Sequence, residues 1–309
     1  MAARETHAPS APDRAGARPP RRSGGAEPVA FASRDGTPLH GLLWRAPRPV
    51  TGLLIVHGMQ SHAGWFEVSG TPEELAANGI TVFAPDRRGS GRSGGERGHT
   101  ASTAAFLDDL DAAQAQLVRA LAEQGAPGAP VDALANCFGT RILLPYLVDH
   151  PGAIRSAILT APAFAMSRAA DYRLSAKLHI LLARGQTRVP TPLRDDLFVS
   201  SGPFLDWIRA DALSLRAFTA SFLRTTEKLT LRMFRAWRRL ELPVLVVLGR
   251  GDAMVRNDRI VRRFVRRYHG PIERLELDSE HYVDFTDRQP ELVAAVIDWV
   301  RAQSARRLA

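Results

Sequence analysis

The stretch Ala133-Leu134-Ala135-Asn136-Cys137-Phe138-Gly139-Thr140 (ALANCFGT, residues 133–140) holds the one cysteine of a 309-residue chain, at the joint of two periodicities. Upstream, Val131 to Asn136 is a short apolar run of strand length. Downstream, Ile142, Leu143, Tyr146 and Leu147 recur at helical spacing. Cys137 therefore falls on a strand-to-helix turn. Such a turn presents its central side chain only if small residues stand two positions before and after it, so that strand and helix pack closely; Ala135 and Gly139 stand there. The start of a helix favours negative charge, which suits a thiolate. A free cysteine is otherwise among the most buried residue types, so what surrounds Cys137 decides between nucleophile and packing.

A nucleophile needs a base, and the base needs a group to orient it. The apolar run Pro243 to Gly249 leads into Arg250-Gly251-Asp252, and Ile272 to Asp278 leads into Ser279-Glu280-His281. Asp252 and His281 thus stand just past strands, as Cys137 does, where side chains converge at the crevice of an open parallel sheet. A third run, Leu53 to Val56, enters His57-Gly58-Met59. The backbone N–H of Met59 and that of Phe138 are the candidate oxyanion donors. His57 itself is read as structural.

The rest of the chain supports an α/β sheet. Two strand-like runs flank Asp35-Gly36, the strongest short hairpin signal. Apolar runs at 52–58, 79–86, 131–137, 154–162, 243–249 and 272–278 then alternate with helical segments, as in a mostly parallel sheet covered on both faces. Phe106, Leu110, Ala113, Leu117 and Leu121 mark the apolar face of one covering helix. Between Pro162 and Leu242 the alternation stops and helical patterns broken by Pro190, Pro192 and Pro203 replace it. These boundaries predict a core of residues 29–161 and 243–305, a helical insertion at 162–242, and a disordered tail at 1–28, which lacks aromatics and apolar period.

With these motifs in place, the chain resembles the α/β-hydrolase superfamily, in its monoacylglycerol lipase, lysophospholipase and serine aminopeptidase branch. The resemblance spans about residues 30 to 305 and rests on IVHGMQSHAGWF, VFAPDRRGSGRSGG, the turn at Cys137, GRGDAMV and SEHYVDF. It implies a catalytic triad of Cys137, His281 and Asp252, an oxyanion hole at Met59 and Phe138, and a cap over the site formed by the helical insertion. One departure is plain. Most members have Gly-x-Ser-x-Gly where this chain has Ala135-Asn136-Cys137-Phe138-Gly139. The resemblance then implies cleavage of an ester or thioester through an acyl-Cys intermediate, released to water or to another nucleophile in the manner of a thioesterase, acyltransferase or cyclase. An ordinary lipase or esterase, a Ser-to-Cys variant of one, and a non-catalytic binding protein on the same scaffold are the alternatives.

Composition narrows the remaining classes. No run of roughly 18 apolar residues suggests a membrane span, the N-terminus lacks a signal-peptide pattern, and one cysteine precludes an intramolecular disulfide, so a cytoplasmic setting is expected. Gly89, Gly91 and Gly94 fit a dinucleotide-binding pattern, but Pro85 to Arg88 separates them from the strand and no helix pattern follows. Asp86 and Arg87 are read as loop-bracing. No cofactor is expected, and the nine scattered histidines suggest no metal site. The net charge of +9 includes a dense basic run through Arg168, Lys177, Arg188, Arg216, Arg224 and Arg232, without the interleaved aromatics of a nucleic-acid platform. It is read as solvated helix faces or as a surface for an acidic acyl-carrier protein.

Overall fold

The computed structural model describes residues 19–20, 24–100 and 102–306. Its first half runs β1 (Glu27–Ala32), β2 (Pro38–Trp44), β3 (Thr51–Val56), α1 (Ala63–Ser69), α2 (Thr71–Ala77), β4 (Ile80–Pro85), α3 (Thr103–Glu123), β5 (Val131–Asn136), α4 (Gly139–Asp149) and β6 (Ala157–Thr160). The second half runs α5 (Leu174–Leu182), β7 (Arg188–Pro190), α6 (Pro203–Ala210), β8 (Ala217–Thr219), α7 (Ala220–Trp237), β9 (Val244–Gly249), α8 (Asn257–Arg263), β10 (Ile272–Leu277) and α9 (Gln289–Arg306). Eight strands form one sheet in the order β1-β2-β4-β3-β5-β6-β9-β10. Most of the predicted tail lies outside the described residues, but Glu27 and Pro28 already pair with Leu43 and Leu42 as the start of β1.

The opening hairpin forms where Asp35-Gly36 predicts it. Gly36 takes φ 79° and donates to the Ser33 carbonyl at 2.9 Å, while the Asp35 carboxylate accepts the Thr37 amide at 3.0 Å. β1 and β2 are antiparallel, β2 joins β4 antiparallel, and every pairing from β4 through β10 is parallel. This is the α/β-hydrolase architecture.

Continuous apolar runs become central strands because both their faces are covered. Every residue of β3, β5 and β9 is buried. Alternate side chains enter opposite cores: Leu54 and Val56 join Phe106 of α3 and Ile142 of α4, whereas Leu53 and Ile55 join Trp65 of α1, Leu75 of α2 and Val296 of α9. The edge strand β10 is less buried, with Glu273 and Arg274 exposed and Glu276 partly exposed, charged side chains that blunt a free edge.

Residues 162–242 hold α5, α6 and α7, as their helical patterns predict, together with a feature the patterns did not show. β7 and β8 pair as a three-residue antiparallel ladder, Arg188 opposite Thr219 and Pro190 opposite Ala217. Strands this short carry no readable period. Among the described residues, no helix is long and apolar enough to cross a membrane, and no group of three or more His, Cys, Asp or Glu is placed to hold a metal ion.

A buried ion cluster ties β5 to the rest of the sheet. The fully buried Asp132 carboxylate accepts from Arg155 Nη2 at 2.5 Å and Nε at 3.1 Å and from Ser156 Oγ at 2.7 Å, and Trp299 Nε1 closes the network on Ser156 at 2.9 Å. Removing one partner of such a pair leaves the other charge uncompensated, which costs about 3–5 kcal/mol. Asp132→Ala should therefore lower the denaturant midpoint by that equivalent with an unchanged slope in equilibrium unfolding.

Candidate active site

Cys137 sits where β5 ends and α4 begins, with a backbone conformation that side chains rarely adopt. Its φ is 47°, and Ala161, just past the neighbouring β6, is the other non-glycine residue at positive φ among the described residues, with φ 44°. Left-handed backbone in a residue with a Cβ costs of order 1–3 kcal/mol and persists only when the surroundings over-determine it. Here they do. The Cys137 amide donates to the Thr160 carbonyl at 3.0 Å, and its own carbonyl accepts from Thr140 at 3.1 Å and Ala163 at 3.3 Å. Gly139 makes the turn possible, because a Cβ there would lie 2.1 Å from the Val56 carbonyl oxygen on β3. Ala135, on the other side of the turn, has its methyl in the core.

Asp252 and His281 meet through two loops zipped together. Gly249, at the end of β9, lies so close to the His281 loop that a Cβ would approach the Glu280 carbonyl oxygen at 2.4 Å. Arg250 then donates to the Leu277 carbonyl at 2.8 Å and Gly251 to that of Ser279 at 2.9 Å. With the loops locked, Asp252 Oδ2 accepts from His281 Nδ1 at 2.8 Å, while Oδ1 accepts the amides of Met254 at 2.7 Å and Val255 at 3.1 Å. Both side chains of the pair are excluded from solvent.

Burial disfavours the charged form of His281, but the charges of Asp252 and Cys137, with their hydrogen bonds to the ring, outweigh it and push the pKa up to about 10. Nε2, the nitrogen turned away from Asp252, has no hydrogen-bond partner of ordinary geometry in the resting site. The edge of Phe198 packs against the ring at 5.9 Å. The structure brings Cys137, His281 and Asp252 together.

The loop after β3 is held from beneath. His57 Nδ1 donates to the Gly58 carbonyl at 2.8 Å and His57 Nε2 accepts the Arg87 amide at 3.0 Å. Burial, then the adjacent Arg87 charge, lower the His57 pKa to about 3, so this ring is neutral and structural. The Arg87 guanidinium donates to the Gly58 carbonyl at 3.1 Å and the Met59 carbonyl at 2.8 Å. A trans peptide points its N–H opposite its C=O. Fixing the Gly58 carbonyl therefore fixes the Met59 N–H, and among the described residues neither that amide nor the Phe138 amide has an acceptor within the protein. Asp86 braces the same region, accepting from Ala63 at 2.7 Å, Arg92 at 2.9 Å and His40 Nδ1 at 3.0 Å. The glycine run predicted as loop is one, closed by Gly89 N–H to Gly94 O and Gly98 N–H to Gly89 O, each at 2.8 Å.

Met59, Cys137 and Phe138 line one cavity of about 460 Å³, walled by Ile180 of α5, Leu193 and Leu223 of α7. Most of that lining is apolar, which suits an acyl chain. Two contributors escaped the sequence reading. Arg141, in the first turn of α4, also lines the cavity, and its charge at the otherwise apolar start of that helix is the signal that could have shown it. Phe198 reaches His281 from residues 162–242, and no local pattern marks it.

A family model described as serine aminopeptidase, S33, matches residues 47–282, which include all three residues of the cluster. An uncharacterized protein of Escherichia coli, YnbC, is 28% identical over 82% of this chain and 43% of its own length. A monoacylglycerol lipase of Mycolicibacterium smegmatis is 28% identical over 43% of this chain and 46% of its own. The chain thus spans less than half the length of these curated relatives. The crystal structure of a Paleococcus ferrophilus monoacylglycerol lipase superposes with a TM-score of 0.73 at 20% identity, covering 86% of this chain and 99% of that one. The family match runs over most of the chain, from the approach to β3 through the His281 loop, and the chain belongs to the serine aminopeptidase S33 family of α/β hydrolases.

Proposed function

We propose that the protein is a lipase- or esterase-type hydrolase of carboxylic esters in which Cys137 carries the acyl group. The observation behind this reading is the Asp252–His281 pair, bonded at 2.8 Å beside a thiol at the floor of an acyl-sized cavity. The two relatives named as monoacylglycerol lipases support the ester substrate. The Cys137 thiolate attacks the ester carbonyl carbon, and the Met59 and Phe138 amides take the negative charge that develops on oxygen. As the tetrahedral species collapses, the imidazolium of His281 gives its Nε2 proton to the departing alkoxide, which leaves as an alcohol. Water then loses a proton to Nε2, attacks the thioester, and releases the acid and the thiolate. Asp252 holds the ring orientation throughout.

The thiol favours a second outlet. A thioester is less resonance-stabilised than an ester, so the acyl group can also pass to an amine, thiol, hydroxyl or carbon nucleophile, as in thioesterase, acyltransferase or cyclising release. A donor carried by an acidic acyl-carrier protein has weaker support. Lys177, Arg188, Arg216 and Arg232, from the basic run, are paired with Asp171, Glu96, Asp195 and Asp149.

Intact-mass analysis after exposure to short and long acyl esters and thioesters tests the nucleophile. An acyl adduct should form on the native chain, disappear in Cys137→Ala, and form at least about 10²-fold more slowly in His281→Ala. A native chain that takes up no acyl group and whose thiol iodoacetamide labels no faster than a model thiol would overturn the reading.

The raised pKa of His281 sets a pH window. Its folded value lies above the ordinary imidazole value near 6.5, so the stabilisation from its charged form is complete below about pH 6.5 and is lost as pH rises through about 10. Thermal unfolding of the native chain should show this alkaline loss, and His281→Gln should not. Acylation should fade over the same alkaline range as the imidazolium loses its proton. Arg87→Met, which frees the Met59 carbonyl and leaves the Gly58 carbonyl with only its His57 hydrogen bond, should slow acylation by about 10²-fold with KM little changed, the signature of a misplaced oxyanion donor.

A further inference from the structure

Arg141 is a charge that the acyl chemistry does not use. It lies in the first turn of α4, four residues beyond Cys137 in the chain. Both line the same cavity. The guanidinium lies across the Phe138 ring, 5.9 Å from its centroid. Burial pulls its pKa down, against the more distant charges of Glu227, Cys137 and Asp171. Its Nε is buried without a partner, and among the described residues no carboxylate stands at ion-pair distance from the group.

The other cations of this cavity have different circumstances. Lys177 pairs with Asp171 at 2.6 Å, and Arg224 Nη1 caps α5 through the carbonyls of Ile180 at 2.8 Å and Ala183 at 2.9 Å. Lys228 and Glu227 are exposed at the rim, where water screens them. Four cations against two carboxylates line the cavity, an excess of positive charge to which Arg141 contributes. A partly buried guanidinium with no carboxylate partner, in a mostly apolar cavity, is costly for folding alone. It also presents a planar fork that matches a carboxylate through two parallel hydrogen bonds.

We infer that the acyl group of the substrate carries a free carboxylate a few atoms from the scissile carbonyl, and that Arg141 binds it. The substrate class is then a dicarboxylic half-ester, an ester at one end and an acid at the other, rather than a plain hydrocarbon ester. Arg141 is a specificity-determining residue in this assignment, which rests on Cys137 being the acyl acceptor.

Two measurements test it separately from that premise. The first compares p-nitrophenyl half-esters of succinate through suberate with the neutral butyrate through octanoate esters of equal length. At the best-fitting length the native chain should favour the charged ester by about 10- to 100-fold in kcat/KM, the range of one charged hydrogen-bonded contact. Arg141→Met should remove most of that ratio and Arg141→Lys only part of it, and the ratio cancels any common loss of acylation or folded protein. The second needs no turnover. Cys137 is the only thiol in the chain, so its alkylation by iodoacetate relative to iodoacetamide reports an anion site beside it. That ratio should fall about tenfold in Arg141→Met. A fall in the alkylation ratio without turnover of any ester would keep the anion site and reject the hydrolase reading. Esters cleaved without charge preference, with an alkylation ratio indifferent to Arg141, would keep the hydrolase reading and overturn this inference.

Discussion

The left-handed backbone at Cys137 is the constraint on which the site depends. A residue at φ 47° is held there by hydrogen bonds to Thr160, Thr140 and Ala163, which belong to the neighbouring strand, the following helix and the loop beyond β6. The conformation thus draws its stability from three separate elements of a buried sheet, and it turns the thiol out of the strand toward the cavity. Gly139 sets how closely α4 can approach β3. The Phe138 amide is oriented by the same turn, so the Cys137 thiol and the Phe138 amide share one origin.

Buried polar groups do the corresponding work on the opposite wall. Arg87, His57 and Asp86 are all buried, and each satisfies backbone groups of the loops that carry Met59 and Ala63. Polar networks in a low-dielectric interior are costly unless satisfied, and satisfied ones rigidify what they touch. Rigid donors aimed at a developing charge need no reorganisation during reaction. The Asp252–His281 pair follows the same logic, since the zipped loops fix its geometry before any substrate enters.

Arg141 stands against this background as a cavity-lining cation with no carboxylate at ion-pair distance among the described residues and an unpartnered Nε. His57, Arg87 and Asp86 hold backbone groups in place, whereas Arg141 lines the cavity. Its position gives the cavity a charged end and an apolar wall of Ile180, Leu193 and Leu223.

The mostly parallel sheet, the opening hairpin at Asp35-Gly36 and the strand-end positions of Cys137, Asp252 and His281 were legible in the chain itself, whereas the strand order was not. Apolar runs of strand length, glycines at fixed offsets and the i, i+4 face of α3 are local signals, and local backbone preference plus burial determines them without reference to distant residues. The meeting of Asp252 with His281, the two carbonyls held by Arg87, the Phe198 edge on the imidazole and the β7–β8 ladder were decided by the tertiary structure alone. Each depends on groups far apart in sequence being brought within hydrogen-bonding or van der Waals reach, and no short pattern encodes that distance. The chain by itself thus determined which chemical groups stand at the strand ends; packing decided which of them touch, and which cation lines the cavity without a carboxylate partner.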